Sequence, residues 1–215
     1  MEINCQNLSL HYENKKRIKI TLEIIIHRVN EISRLKEIPS SYGVEIDIRA
    51  FGSQLILNHE PFESGDSFED YLAEYNKGTI VLNIKEAGIE NEVLRLVREA
   101  QIKSYFLLDV EYPYILQNDP SNSLLDIAVR FSEQETIQNV SCQLGRLKWV
   151  WIDCVTRNPV EQVNIPFLAN FKSCLVCPSR WGRPKDISQF RNFFEEYMTL
   201  DAVMTEMKYS EAWKA

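Results

Sequence analysis

The chain has 215 residues, 45% hydrophobic and 26% charged, with a formal net charge of −7. That length supports one sizeable core, and this balance excludes wholesale disorder and fibrous classes. The acidic excess argues against a nucleic-acid surface, which needs clustered Lys and Arg.

The opening stretch, MEINCQNLSLHYENKKRIKI, is polar and lacks the apolar core of a leader. Residues 1–20 therefore read as an N-terminal extension of a single domain spanning 1–215, and a cytoplasmic location is expected. The apolar run at Ile24 to Ile26 is far too short to cross a bilayer. Eight strand-like runs follow: Glu23 to His27, Val44 to Arg49, Thr79 to Lys85, Tyr105 to Val110, Asp126 to Phe131, Trp149 to Cys154, Ser173 to Cys177 and Ala202 to Glu206.

Between them, IENEVLRLVREAQ, NPVEQVNIPFLANF and DISQFRNFFEEYM carry apolar residues at helical spacing, with acidic residues near two of the starts. The segment from Val29 to Gly43, which holds Pro39, leaves room for only a short first helix. Strands alternating with helices predict parallel pairing through right-handed crossovers, and eight such units predict a small (β/α)8 TIM barrel before a doubly wound sheet. The odd count of five cysteines reads as reduced thiols. Cys174 and Cys177 lie in the strand-like SCLVCPS, where i and i+3 face opposite ways, so they are expected to be packing residues and not a redox or metal pair.

Reacting groups in such a barrel sit at the C-terminal ends of the strands. Those ends carry His27, Asp47 with Arg49, Lys85, Asp109, Arg130, Asp153 and Thr205. Asp109 after YFLL and Asp153 after WVWI read equally well as satisfied structural carboxylates. Glu45 and Asp47, at i and i+2, project from one strand face and converge as a partial site for Mg²⁺ or Ca²⁺, although E-x-D alone is also a common solvated edge.

Their company sharpens the reading. Two of the three histidines, His27 beside Arg28 and His59 at the end of LILNHE, directly follow apolar runs, where a neutral imidazole can pass protons near pH 7. Together these groups suit phosphodiester cleavage. Arg130 and Ser132 share a strand face, and Arg130 is expected to join Lys85 on the substrate phosphate. In CPSRWGRPK, Arg180 and Arg183 are read slightly in favour of solvated loop charges over a second anion site, and Trp181 either stacks on a sugar or lipid headgroup or caps the barrel.

The spacing H-R, E-x-D-x-R, then LILNHE resembles the signature of glycerophosphodiester phosphodiesterases, in the barrel superfamily of phosphatidylinositol-specific phospholipase C. IVLNIK is similar to that family's third-strand element and DAVMTEM to its closing segment. The resemblance implies metal-dependent hydrolysis of a small glycerophosphodiester-like substrate. His27 and His59 would be general acid and base, Arg28 would hold phosphoryl oxygens, and Glu45 and Asp47 would carry Mg²⁺ or Ca²⁺, with Lys85 adding a charge toward the phosphate.

The chain departs from the pattern in four places. Val29 stands for the glycine after H-R, VNEISRLKE has no E-N-T, Glu60 replaces the aspartate after His59, and Asn83 replaces the third carboxylate ligand, for which Asp109 is the candidate substitute. Two alternatives follow: a catalytically silent barrel that binds a phosphorylated ligand, and an aldolase-like barrel using Lys85 as a Schiff-base nucleophile. Neighbouring carboxylates disfavour the second by keeping the ammonium charged.

Overall fold

The computed structural model describes residues 21–118 and 123–214. The expected N-terminal extension, 1–20, lies outside the described residues. In chain order the strands are β1 (Glu23–Ile26), β2 (Gly43–Phe51), β3 (Gln54–Leu57), β4 (Asp66–Ser67), β5 (Ile80–Ile84), β6 (Tyr105–Leu108), β7 (Leu125–Phe131), β8 (Leu147–Ile152), β9 (Lys172–Val176) and β10 (Ala202–Thr205). β1, β2 and β5 to β10 are parallel neighbours, and β1 closes the ring by pairing with both β2 and β10. This is the expected (β/α)8 barrel, and all eight strand-like runs lie in its wall. β3 and β4 were not among those runs: β2 continues past the wall, and from Ile48 onward it pairs antiparallel with β3.

Helices α1 (Ile32–Glu37), α2 (Phe68–Ala73), α3 (Glu90–Glu99), α4 (Tyr112–Gln117), α5 (Ile137–Ser141), α6 (Ile165–Leu168) and α7 (Ile187–Tyr197) fill the crossovers. α3 turns Val93, Leu96 and Val97 inward, and α7 turns Ile187, Phe190 and Phe194 inward, as the spacing predicts. α1 is short, as its segment requires. The segment NPVEQVNIPFLANF yields only a 3-10 turn and the four-residue α6. Pro166 has no N–H to continue a helix from upstream, and Asn158 accepts from Val160 N in a turn just after Asn158.

Strand alternation separates two apolar layers. Residues such as Val44, Ile46, Leu82, Leu107 and Val150 face the helices, and Ile25, Val81, Phe106, Leu108, Trp149, Trp151, Val176 and Met204 fill the barrel. Phe106 stacks on Trp149 with ring centroids 4.4 Å apart, and Ala128, the register partner of Trp149, leaves room for the indole. Cys174 belongs to the inner layer and Cys177 to the outer, as their spacing predicts. The apolar plug supports a polar layer at each end.

Candidate active site

At the mouth, β1 ends in Ile26 and the chain turns sharply. Arg28 adopts the left-handed conformation (φ 51°), uncommon for a residue with a Cβ, and its backbone N–H donates to Glu45 Oε2 at 2.9 Å. Val29 N then bonds Glu45 O at 2.9 Å. Val29 is itself fully buried in the outer core. Asn30 next makes a reciprocal pair with Asp47: its Nδ2 donates to Asp47 Oδ2, and its Oδ1 accepts from Asp47 N, both at 2.9 Å. This turn lashes β1 to β2 and fixes both carboxylates.

His27 Nε2 lies 3.9 Å from Glu45 Oε2. Burial, with the charges of Arg180 and Arg28 next, lowers the imidazole pKa to about 4, so it is neutral at pH 7. Glu45 accepts from Asn83 Nδ2 at 2.9 Å through its second oxygen. Burial, with Asp47 beside it, raises the Glu45 carboxyl to about 7.

From Asp47 a belt of charge crosses the mouth. Arg28 Nε lies 3.7 Å from Asp47 Oδ2, and Lys85 Nζ lies 3.1 Å from Asp47 Oδ1 and 3.9 Å from Asp109 Oδ2. Arg130 forks Asp109 at 2.6 and 3.0 Å and reaches Asp153 at 3.1 Å, and Trp181 Nε1 donates to the other Asp153 oxygen at 2.7 Å. Arg180 lies over the Trp181 ring at 5.4 Å. Behind this belt, Glu133 accepts from the backbone N–H groups of Val155, Thr156 and Arg157, joining the loops after β7 and β8. Against its desolvation cost, its own backbone amide, those of Thr156 and Arg157, and the Thr156 hydroxyl hold its carboxyl down to about 2.

The structure thus brings His27, Arg28, Glu45, Asp47, Asn83, Lys85, Asp109, Arg130, Asp153 and Trp181 into one contact network, with Arg180 close enough for its charge to bear on His27. His59 sits beside it. Its loop follows β3, its Nδ1 is 2.6 Å from Glu60 Oε1, and its carbonyl accepts from Arg49 at 2.9 Å. Arg183 turns away to Asp186 at 2.6 Å and to the Cys154 carbonyl, tying loops together. Ser132 Oγ accepts from the backbone of Gln134 and Glu135. Sequence reasoning missed Asn30 and also Arg34, which donates to Arg28 O at 2.9 Å.

The expected divalent cation can be tested against these donors. Both Glu45 oxygens and Asp47 Oδ2 already accept N–H groups, whereas Asp47 Oδ1 is buried, accepts no hydrogen bond and lies 3.1 Å from the Lys85 ammonium. Asp109, the candidate third ligand, is held in the fork of Arg130. Among the described residues no group of three or more His, Cys, Asp and Glu is gathered for a metal. Asn83 Oδ1 is buried and unpartnered, but it is neutral and lies among cations. With one charged oxygen accepting no hydrogen bond, an ammonium already 3.1 Å from it and no third acidic ligand free of Arg130, the set does not fit Mg²⁺ or Ca²⁺, which take six or more oxygen ligands, several of them usually charged or water.

At the opposite end of the barrel, Glu23 accepts from Thr79 N and Oγ1, both at 2.6 Å, and Thr79 Oγ1 meets Ser104 Oγ at 2.8 Å. A cavity of about 390 Å³ opens there. Its buried polar groups satisfy one another.

Among the described residues no helix is long and apolar enough to cross a membrane. Neither protein-family models nor curated protein sequences give a match to this chain. Solved structures do. A glycerophosphodiester phosphodiesterase from Agrobacterium tumefaciens is similar with a TM-score of 0.59 at 11% identity, over 91% of this chain and 100% of that one. A glycerophosphoryl diester phosphodiesterase from Parabacteroides distasonis is similar with a TM-score of 0.58 at 13% identity, over 90% and 86% of the two chains. At such identity the likeness is one of fold, and it extends over nearly the whole chain.

Proposed function

We propose that the mouth binds a small phosphodiester and hydrolyses it, with His27 as the general base. One observation carries the reading: a half-buried, neutral imidazole stands in the field of Arg180 and Arg28, while Lys85 lies on Asp47, the carboxylate that Arg28 also meets. Three cations suit the non-bridging oxygens of a phosphodiester, and a neutral imidazole beside them can accept a proton. His27 takes the proton of the attacking hydroxyl, whether of water or of a neighbouring substrate alcohol. The new O–P bond forms as the ester O–P bond breaks, and the leaving alkoxide receives a proton. Glu45, 3.9 Å from His27 Nε2, stabilises the imidazolium as it forms.

His59 is the candidate donor to the leaving group. Glu60 orients its ring, and its side chain is 36% exposed on a loop, suited to meet a departing alcohol. Arg130 and Asp153 act at one remove, by fixing Asp109 and Trp181. The likeness of fold to phosphodiesterases supports this chemistry.

The test is turnover of a panel of glycerophosphodiesters and bis-p-nitrophenyl phosphate by wild type and His27→Ala, in buffers with and without divalent cation. Turnover that falls at least about 100-fold in a folded His27→Ala protein supports the reading. No turnover in any buffer would overturn it in favour of a silent phosphate-binding barrel. The observation favouring that second reading is that the carboxylates of the belt are already paired with its cations. It predicts thermal stabilisation by glycerol phosphate without catalysis.

A further inference from the structure

We propose that the Lys85 ammonium occupies the functional place of a divalent cation, so that this centre works without Mg²⁺ or Ca²⁺. The inference rests on the phosphodiesterase reading and concerns how negative charge on the phosphoryl group is neutralised.

Three observations converge. First, the β5 position facing Glu45 carries Asn83, whose amide donates to Glu45 Oε1. The residue that faces the carboxylate pair therefore brings an N–H to Glu45 and one neutral oxygen, where a third carboxylate would bring two charged ones. Second, the engaged donors are not idle side chains. Arg28 N is a backbone donor fixed by a left-handed turn, and Asn30 is locked by its reciprocal pair with Asp47. A metal on Glu45 Oε2 or Asp47 Oδ2 would have to share that oxygen with a donor that the β1 turn holds in place.

Third, the remaining oxygen, Asp47 Oδ1, faces the Lys85 Nζ at 3.1 Å, and the ammonium also lies 3.9 Å from Asp109 Oδ2. Lys85 follows β5 directly and its side chain is only 17% exposed, so this charge is tethered and half-sheltered between two carboxylates. A second, doubly positive ion placed there would meet an ammonium at contact distance, with Arg28 and Arg130 on either side. The ammonium itself retains the geometry to face a substrate oxygen while Asp47 holds it. No proton leaves Lys85 in this role: it acts by charge alone, and bond making and breaking proceed as described above.

Two measurements test the inference. In calorimetric titration with MgCl2 or CaCl2 alone, wild type is expected to give no saturable binding up to about 5 mM, a range where weak all-oxygen sites already register. The double variant Asn83→Glu/Lys85→Gln is expected to gain at least about a tenfold stronger response, since it removes the tethered charge and supplies a third carboxylate. In turnover assays, EDTA is expected to change the wild-type rate less than twofold, whereas Lys85→Gln loses at least about 100-fold and Lys85→Arg retains part of it.

Saturable wild-type binding that Asp47→Asn abolishes, or turnover lost in EDTA and restored by a cation, would overturn the proposal. If no buffer gives turnover, the phosphodiesterase reading fails. The titrations of wild type and Asp47→Asn need no activity, so they decide the cation question even where the phosphodiesterase reading fails.

Discussion

At the floor of the barrel Glu23 meets two donors from a single threonine, and Gly43 and Gly78 clear the space around it. A Cβ on Gly78 would lie 2.2 Å from the Glu23 carboxylate. At the mouth, two carboxylates stand two residues apart, Arg28 and Lys85 both crowd Asp47, and the buried oxygens Asp47 Oδ1, Asn83 Oδ1 and Thr205 Oγ1 accept no hydrogen bond. Both ends bury charge, but only the floor matches every acceptor with a donor of its own. Complete pairing holds a fold together. A set that keeps like charges side by side, with an acceptor left open, is stable only because the wall beneath is rigid, and it is ready to be completed by a molecule from outside.

This contrast can be broken experimentally, most sharply at His27. His27→Ala should lower kcat/KM by about 10² to 10⁴, while the melting temperature stays within about 2 °C, because a buried imidazole in a field of arginines contributes little to the folded state. A loss of activity that followed a loss of fold would make the mouth a structural element like the floor.

Gly43→Ala probes the other end. Its Cβ would lie 2.3 Å from the Thr79 carbonyl, a backbone atom that cannot swing aside. A cost of about 3 kcal/mol is expected, lowering the thermal midpoint by roughly 6–12 °C in a chain of this size. Differential scanning calorimetry would read it directly.

Glu45→Gln should act in the opposite sense. The unfolded carboxyl ionises near 4.5 and the folded one near 7, so the wild type loses stability as pH rises between those values. The amide variant should be more stable by about 1–2 kcal/mol at pH 8, with the advantage fading to nothing below pH 4.5. Asn83, by turning its unpartnered oxygen toward the new amide, can accommodate the change. Denaturant midpoints at pH 8 and pH 4.5 check it, and an unchanged difference at the two pH values would remove the charge argument.

Glu133→Gln is the smallest effect and marks the exception at the mouth, a carboxylate as fully satisfied as Glu23. Its folded pKa lies near 2, below the unfolded value of 4.5, so its contribution is present above pH 4.5 and is lost as pH falls toward 2. The variant should melt slightly below wild type at pH 7, and the two should converge only as pH approaches 2.

Much of this was legible in the sequence because strand periodicity sets both the wall and the facing of its side chains. Runs such as EIIIHR and VEIDIR place their last polar residues on the rim, and the i, i+2 pair at 45 and 47 converges as alternation requires. What periodicity cannot carry is reciprocity between loops. Asn30 belongs to no pattern, yet its two hydrogen bonds orient Asp47. Asp109 looks on paper like a free ligand at a strand end, and only its distance to Arg130 shows it committed. The antiparallel β3 is four residues long and reads as the approach to His59, since its pairing depends on β2 overrunning the wall. The helical pattern after Asn158 was interrupted by a proline whose effect outweighs spacing.

The ring is closed where the earliest and latest strands of the described barrel meet. β10, only four residues long, lies between β1 and β9, and β1 touches its other neighbour through just two register pairs. During synthesis, seven of the eight wall strands therefore leave the ribosome before the barrel can close. Until Ala202 to Thr205 is threaded into place, β1 and β9 expose unsatisfied backbone that another nascent chain could extend. A four-residue strand thus satisfies two edges at once, those of β1 and β9.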